Sequence, residues 1–263
     1  MGNVSYEPLI RDMTWSYSRI KSFEACPYRW YLKYVMFPRT KGLELFFASY
    51  GSFMHELIAE YYKGENDAAG IRLNYLSNYR NRVAMPAPSR KVADGYFQSG
   101  LAYLRAIKPS ENKVVAIEER FESVIFDIPF LGFVDRLDER DNGDLILIDN
   151  KSRTLRERSK RSKPTQYDKE LDEYLKQLHL YSAFIKDRFG RYPSELWFNC
   201  FRENLMIKEP FVQEKFDEAI DWAKGKIDEI AAETEFRPDI EWFKCHHLCE
   251  MRELCEYYEL NFT

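Results

Sequence analysis

The chain has 263 residues, 45% hydrophobic and 31% charged, with a formal net charge of -4. That much apolar material can bury a real core and excludes a disordered chain, while the acidic balance gives no overall basic surplus to announce a nucleic-acid partner. No run of about 18 apolar residues occurs, so a membrane-spanning helix is not expected, and the opening MGNVSYEPLIRDMTW lacks the basic and apolar regions of a secretory signal.

A soluble, cytoplasmic protein is therefore expected. In a reducing compartment the five cysteines, Cys26, Cys200, Cys245, Cys249 and Cys255, are poor disulfide candidates. Three of them crowd into FKCHHLCEMRELCEYY (243 to 258), which points to metal ligation.

In chain order, SYSRIKSFEACPYRWYLKYV (16 to 35) opens with Ser16 as an N-cap and repeats Ile20, Phe23, Trp30 and Tyr34 at near-helical spacing. Pro27 interrupts it and starts a second turn, with Cys26 at the joint. ASYGSFMHELIAEYYKG (48 to 64) reads as a helix with Phe53, Leu57 and Tyr61 on one stripe and His55 on another face. Further helices are expected over 70 to 112 on either side of MPAPS. From 113 the sequence turns rich in β-branched and aromatic residues, and DNGD (141 to 144) marks a hairpin, because Asn-Gly tolerates positive φ. Three antiparallel strands are expected there. A helix over 167 to 189, a strand over 194 to 204, a short strand near LMIKEPF and a helix over 213 to 233 complete the series. No internal repeat or low-complexity segment is present. The order predicts an α/β sandwich around a mixed sheet.

The hairpin sets a geometry of its own. Asp135 lies seven residues before Asn142 and Asp149 seven after it, so their carboxylates should fall opposite each other on neighbouring strands. Lys151, two residues beyond Asp149, points to the same face. Opposed carboxylates repel by up to about 1 kcal/mol, so the pair either faces water or holds a cation. Mg²⁺ suits oxygen donors and leaves positions open for phosphate, while Lys151 could orient or deprotonate the attacking water. A bare D-x-K is common on protein surfaces. Here, however, the strand entering Asp149 is apolar on both faces, as a central strand is. KSRTLRERSKRSK (151 to 163) then sets seven Lys or Arg against one Glu. It is either a solvated loop or a phosphate contact through Arg153, Arg156, Arg158, Lys160 and Arg161.

YSRIKSFEACPYRWYLKYV, GSFMHE, EERF, GFVDRLD, LILIDNKS, QLHLY and the terminal cysteines occur in this order. Together they resemble the PD-(D/E)XK nucleases, in the RecB-like branch that carries an iron-sulfur cluster and includes CRISPR-adaptation nucleases and the AddB subunit of a recombination complex. The resemblance runs from Ser16 to Cys255 and implies a restriction-endonuclease-like core with a central mixed sheet flanked by helices. It also implies an N-terminal helical region (1 to 112), a nuclease core (113 to 212) and a C-terminal helix and cysteine segment (213 to 263), all in one compact domain.

For the site, the resemblance implies His55 as a ligand of the catalytic Mg²⁺ or Mn²⁺ with Asp135 and Asp149, Lys151 as the catalytic lysine and Glu118 in an outer shell. Gln177 and Tyr181, four residues apart on one helix face, would support the lysine, touch DNA or merely pack on the sheet. Cys26 would join Cys245, Cys249 and Cys255 around a 4Fe-4S cluster tying the chain ends together, a role expected to be structural. The spacing departs from the family's usual pattern, with three residues between Cys245 and Cys249 where two are usual. Two-residue spacing falls on His246, so His246 competes with Cys245 as first ligand and structural zinc stays open. Cys200, within LWFNCF, reads as an inert core thiol.

These features lead to a metal-dependent DNA nuclease acting on single-stranded or end-bearing DNA in repair, recombination or CRISPR adaptation. The alternative is a noncatalytic DNA-binding accessory protein. No G-x-x-x-x-G-K-[ST] sequence is present, so ATP-driven unwinding would need a helicase, recombination or CRISPR-adaptation partner. Oligomerisation is left open.

Overall fold

A computed structural model describes residues 5 to 125 and 127 to 262; the first four residues of the segment read for a secretory signal lie outside it. After a short helix α1 (Glu7–Arg11), the hydroxyl of Ser16 caps α2 (Tyr17–Ala25) by accepting from the Arg19 amide at 3.1 Å. Cys26 ends that helix and caps the next, α3 (Pro27–Tyr31), as the proline at a first helical position leads one to expect. The chain then widens into a π turn over Leu32–Met36 that the periodicity does not foretell. Three long helices follow, α4 (Phe46–Tyr62), α5 (Ala68–Arg82) and α6 (Arg90–Ala106).

A five-stranded sheet in the order β1-β2-β3-β4-β5 forms the centre. Strands β1 (Lys113–Ile125), β2 (Ile128–Glu139) and β3 (Leu145–Lys151) form the expected antiparallel meander. The chain then crosses through α7 (Gln166–Phe189) to β4 (Glu195–Cys200), which lies parallel to β3, and returns antiparallel through β5 (Leu205–Pro210). One parallel pair makes the sheet mixed, in the α/β arrangement of restriction-endonuclease-like folds. Helix α8 (Gln213–Ala232) packs on α7, and α9 (Trp242–His247) and α10 (Glu256–Phe262) end the chain.

Alternation assigns the faces. Leu145, Leu147, Leu196 and Phe198 belong to the core shared with α7 and α8, whereas Ile146, Ile148 and Trp197 point the other way. A second core of aromatic residues from α4, α5 and α6, including Phe53, Tyr50 and Tyr75, is closed by Phe201 just after β4. Strand β3 is buried along nearly its whole length, so a one-residue slip would exchange the side chains of its two packed faces. Gly132 on β2 shows how closely α7 sits: a Cβ there would lie 2.5 Å from Phe184 Cε2 and 2.9 Å from Tyr181 Cε1. The helix carrying Gln177 is thereby pressed onto the sheet at one fixed height.

Candidate active site

The β2–β3 register is centred on residue 142, pairing Arg136 with Ile148 and Glu139 with Leu145. Gly143, at φ +87°, supplies the left-handed residue of the turn, and the Asn142 side chain accepts from the Asp144 amide at 3.0 Å. Continued one step past Arg136 and Ile148, the same register would bring Asp135 level with Asp149. Asp138 has the opposite parity to Asp135 and does a different job: buried, it pairs with Arg136 at 3.0 Å and accepts from Ser110 at 2.7 Å.

His55 reaches this point from α4. Its Nε2 lies 3.0 Å from the Asn150 carbonyl, and since a carbonyl only accepts, that nitrogen carries the proton. Nδ1 is turned toward the carboxylates, 3.2 Å from Glu118 Oε1 and 3.6 Å from Asp135 Oδ2. His55, Glu118 and Asp135 each offer a ligand atom within 4.8 Å of the others, the one such group of three among the described residues. One imidazole nitrogen and two carboxylate oxygens suit a divalent first-row ion or Mg²⁺, leaving positions for water and phosphate.

Glu118 attains its place by an uncommon backbone conformation. A bulge between Val114 and Ala116 shifts the β1–β2 register, and Glu118 itself has φ +46° in the middle of a strand. For a residue with a Cβ this costs on the order of 1–3 kcal/mol, the kind of strain found where a side chain must be aimed. The resemblance placed Glu118 in an outer shell; here its carboxylate stands among the three convergent donors.

Asp149 is turned differently. Only 5% exposed, it sets Oδ2 2.7 Å from Lys151 Nζ as an ion pair, and Lys151 donates to Gln177 Oε1 at 2.9 Å. The ammonium thus sits between the sheet and α7 beside the carboxylate cluster. Gln177 supports the lysine, while Tyr181, on the same helix, packs against the sheet at Gly132.

The electrostatics of the cluster favour a bound cation. Burial opposes charge on His55, yet Asp135, Glu118 and Asp149 outweigh it and push its pKa up to about 9. Burial and the neighbouring Asp149 and Glu118 carboxylates push Asp135 up to about 7, against the pull of His55 and the Asn150 amide. A proton shared in this way occupies the place a divalent ion would take.

Asn150 lies between Asp149 and Lys151 in sequence, and its main chain holds the centre from behind. Its amide donates to Asp135 Oδ2 at 2.6 Å while its carbonyl receives His55. Its side-chain oxygen accepts from Asn199 Nδ2 at 2.7 Å, and the same amide group donates to the Tyr103 hydroxyl at 2.7 Å. All three side chains are buried, so β4 and α6 brace the peptide that orients the donors. The D-x-K spacing leaves the middle residue free, and neither Asn199 nor Tyr103 carries a local signal.

The basic stretch is more ordered than composition suggests. Arg158 pairs with Asp172 at 2.8 Å and Glu209 at 2.9 Å, and Arg153 with Glu170 at 3.4 Å. The Arg156 guanidinium lies 3.9 Å from the Tyr167 ring centroid, and Leu155 is buried. Asp168, in the first turn of α7, accepts from the amide and hydroxyl of Ser159, both at 2.7 Å, and from the Thr165 amide at 2.6 Å. These bonds hold its carboxyl well below the ordinary range. The picture of a wholly mobile loop is therefore corrected: Arg158 is a tie across elements, whereas Lys160 and Arg161 are exposed and make no ion pair among the described residues.

Cys26, Cys245, Cys249 and Cys255 line one small cavity between α3 and the C-terminal segment. Cys26 Sγ accepts from the amides of Arg29 and Asp239, both at 3.4 Å. Across this junction Arg29 and Lys33 each reach Glu250 at 2.7 Å, and Tyr28 donates to Glu256 at 2.9 Å. Among the described residues, no three of the sulfurs come within 4.8 Å of one another. Tetrahedral zinc with bonds of about 2.3 Å would need them about 3.8 Å apart, so these thiols are not gathered around a single ion. Burial pushes the Cys249 thiol up to about 11. His246 is engaged elsewhere, with Nδ1 2.7 Å from the Tyr258 hydroxyl. Cys200 is buried in the sheet, its pKa raised to about 11 by burial, and takes no part.

The profile of the PD-(D/E)XK nuclease superfamily matches residues 14 to 256. No curated protein sequence matches the chain. Among solved structures, a provisionally assigned exonuclease from Eubacterium rectale superposes with a TM-score of 0.52 at 12% identity, covering 100% of this chain and 94% of that one. The crystal structure of SSO0001 gives 0.31 at 16% identity over 71% of this chain and 81% of that one, too low a score to carry an argument. The first likeness speaks for the fold. No helix among the described residues is long and apolar enough to cross a membrane.

Proposed function

The chain belongs to the PD-(D/E)XK nuclease superfamily, and from that premise we propose that it is a divalent-metal-dependent deoxyribonuclease acting on single-stranded or end-bearing DNA. One observation carries the reading: His55, Glu118 and Asp135 converge on one point beside the Asp149–Lys151 pair. In this reading His55 Nδ1, Glu118 and Asp135 hold Mg²⁺ or Mn²⁺, with Asp149 completing the acidic wall. When bound, the ion would lower the pKa of a water and polarise the phosphoryl oxygens. Lys151, paired with Asp149 and oriented by Gln177, would position the attacking water and offset charge on the phosphate. Asn150 would keep His55 in the Nε2–H tautomer, so that Nδ1 faces the ion. Exonuclease action is the mode we favour, in keeping with the description of the Eubacterium rectale neighbour.

The four cysteines form a second part of the proposal. Thiols of one cavity, one of them accepting two backbone N–H groups, suit ligands of an iron-sulfur cluster, whose larger body needs sulfurs farther apart than zinc does. Such a cluster would lock the C-terminal segment onto α3 and act in stability. An absorption spectrum of anaerobically purified protein tests it: a brown sample is expected, and a colourless one containing zinc or no metal contradicts it. Repair, recombination and CRISPR adaptation all remain proposed settings, with any unwinding supplied by a partner.

The test of the main reading is cleavage of a labelled single strand with Mn²⁺ against EDTA. Cleavage in Mn²⁺ only, lost in Lys151→Ala, is expected. Binding without cleavage would point to a DNA-binding accessory instead.

A further inference from the structure

Two cavities flank the candidate centre, and their walls are of opposite character. The one beside α4 has a volume of about 630 Å³ and carries Glu56, Glu60, Glu65 and Glu118 against Lys63 and His55. A polyanion would meet four carboxylates there. The other, about 600 Å³, lies between α2 and the start of α7 and is lined by Tyr174 and by three cations, Lys21, Arg153 and Lys169, together with the two carboxylates of Glu170 and Glu173. Here the balance is reversed, and Lys169 makes no ion pair among the described residues.

Tyr174 joins this cleft to the chemistry. Lys151 Nζ lies 5.6 Å from its ring centroid and the Arg153 guanidinium 5.5 Å, while the ring stands edge-on to Phe198 at 6.4 Å. Cations therefore run from Lys151 past Tyr174 to Arg153 and on to Lys169 at the rim. Arg153 is held by Glu170 at 3.4 Å, a loose ion pair on an exposed side chain that a phosphate can displace at little cost. Lys21, paired with Glu24 and 3.8 Å from Glu173, is the less available cation.

We propose that the cleft between α2 and α7 seats the nucleotide next to the scissile phosphate, with its two flanking backbone phosphates against Arg153 and Lys169 and its base against Tyr174. The inference rests on the nuclease reading and deepens it: the ligand is single-stranded DNA, and the strand approaches from the α7 side rather than across the acidic α4 cavity. An unstacked base needs an aromatic wall, and backbone phosphates need mobile cations; this cleft supplies both within reach of Lys151.

The test is fluorescence anisotropy with labelled oligothymidylate in EDTA, where cleavage cannot intervene, over a range of salt. Arg153→Gln/Lys169→Gln should bind at least tenfold more weakly, with a salt slope shallower by about 1.4, two phosphate contacts at about 0.7 each. Lys91→Gln, an exposed change on α6, controls for net charge and should bind as wild type does. Tyr174→Leu should lose a preference of about fivefold or more for intact over abasic strands, and Tyr174→Phe should keep it. Wild-type affinity and slope in the double variant, a preserved preference in Tyr174→Leu, or no single-strand binding by the wild type would each overturn the cleft. The two readings fail separately. Wild type that binds in EDTA but does not cut in Mn²⁺ sinks the nuclease, whereas cutting by wild type with undiminished binding in the double variant sinks the cleft.

Discussion

The carboxylate centre and the cysteine cavity are built in contrasting ways. At the first, neighbouring strands and one helix bring an imidazole and two carboxylates within 4.8 Å of one another, at the expense of a left-handed Glu118. At the second, sulfurs more than 200 residues apart in sequence share a cavity without closing on a point. The first donor set is fixed by a buried main chain; the second is held by surface ion pairs such as Lys33–Glu250, which contribute about 0–1 kcal/mol each. A preorganised site serves rate, since its reorganisation is complete before substrate arrives. If the proposed cluster binds the cysteines, its binding energy would there become folding energy.

The contrast can be broken or sharpened by substitution. The largest effect is expected from Lys151→Ala, which should lower the Mn²⁺-dependent cleavage rate by a factor of about 10²–10³ or more with little change in unfolding temperature. Single-turnover kinetics beside a thermal melt would check this, and a parallel collapse of the melt would move Lys151 from chemistry to structure.

Asn199→Leu comes next. It strands the Tyr103 hydroxyl and the Asn150 side chain, costing about 1–3 kcal/mol in stability, and loosens the peptide that orients His55 and Asp135. Weaker Mn²⁺ binding by about 10–100-fold, read by calorimetry, is expected, as for partners that orient ligands. Tyr103→Phe should show the same direction at a fraction of the size.

Gly132→Ala tests the seating of α7. A Cβ there meets Phe184 and Tyr181, and overpacking of this kind costs about 1–3 kcal/mol, measurable in denaturant unfolding.

The smallest global effect belongs to Asp168→Asn, which should lower the melt only slightly yet speed tryptic cleavage after Lys160 and Arg161, while Lys163 is protected by the proline that follows it. The pH dependence follows its depressed pKa. The carboxylate's contribution is complete above the ordinary aspartate value of about 3.9 and is lost only as pH falls toward the lower folded value. Amide exchange at Ser159 should therefore stay slow down to that range and rise below it.

What could be read from the sequence depended on how local the cause was. The opposition of Asp135 and Asp149 was legible because an Asn-Gly turn and a period of two fix it within fifteen residues. The burial of β3 followed from apolar patterning in the same way, and the order of the elements called for a mixed sheet. Glu118 was harder: its sequence neighbours say strand, and only a bulge and positive φ swing its carboxylate to His55. Asn199 and Tyr103 lie 49 and 96 residues apart from their partners along the chain, beyond any window of periodicity. The charge run at 151 to 163 looked open because the acids that tie it, Asp168, Asp172 and Glu209, stand on α7 and β5. Composition reports charges and says nothing of their partners.

The most direct measurement is the rate of single-strand cleavage as a function of Mn²⁺ concentration, in wild type and in Glu118→Gln. If Glu118 is one of the donors that hold the ion, the variant's curve moves to Mn²⁺ concentrations at least tenfold higher. Superimposable curves would mean that the metal is held without Glu118, and the centre described here would not be the one that cuts.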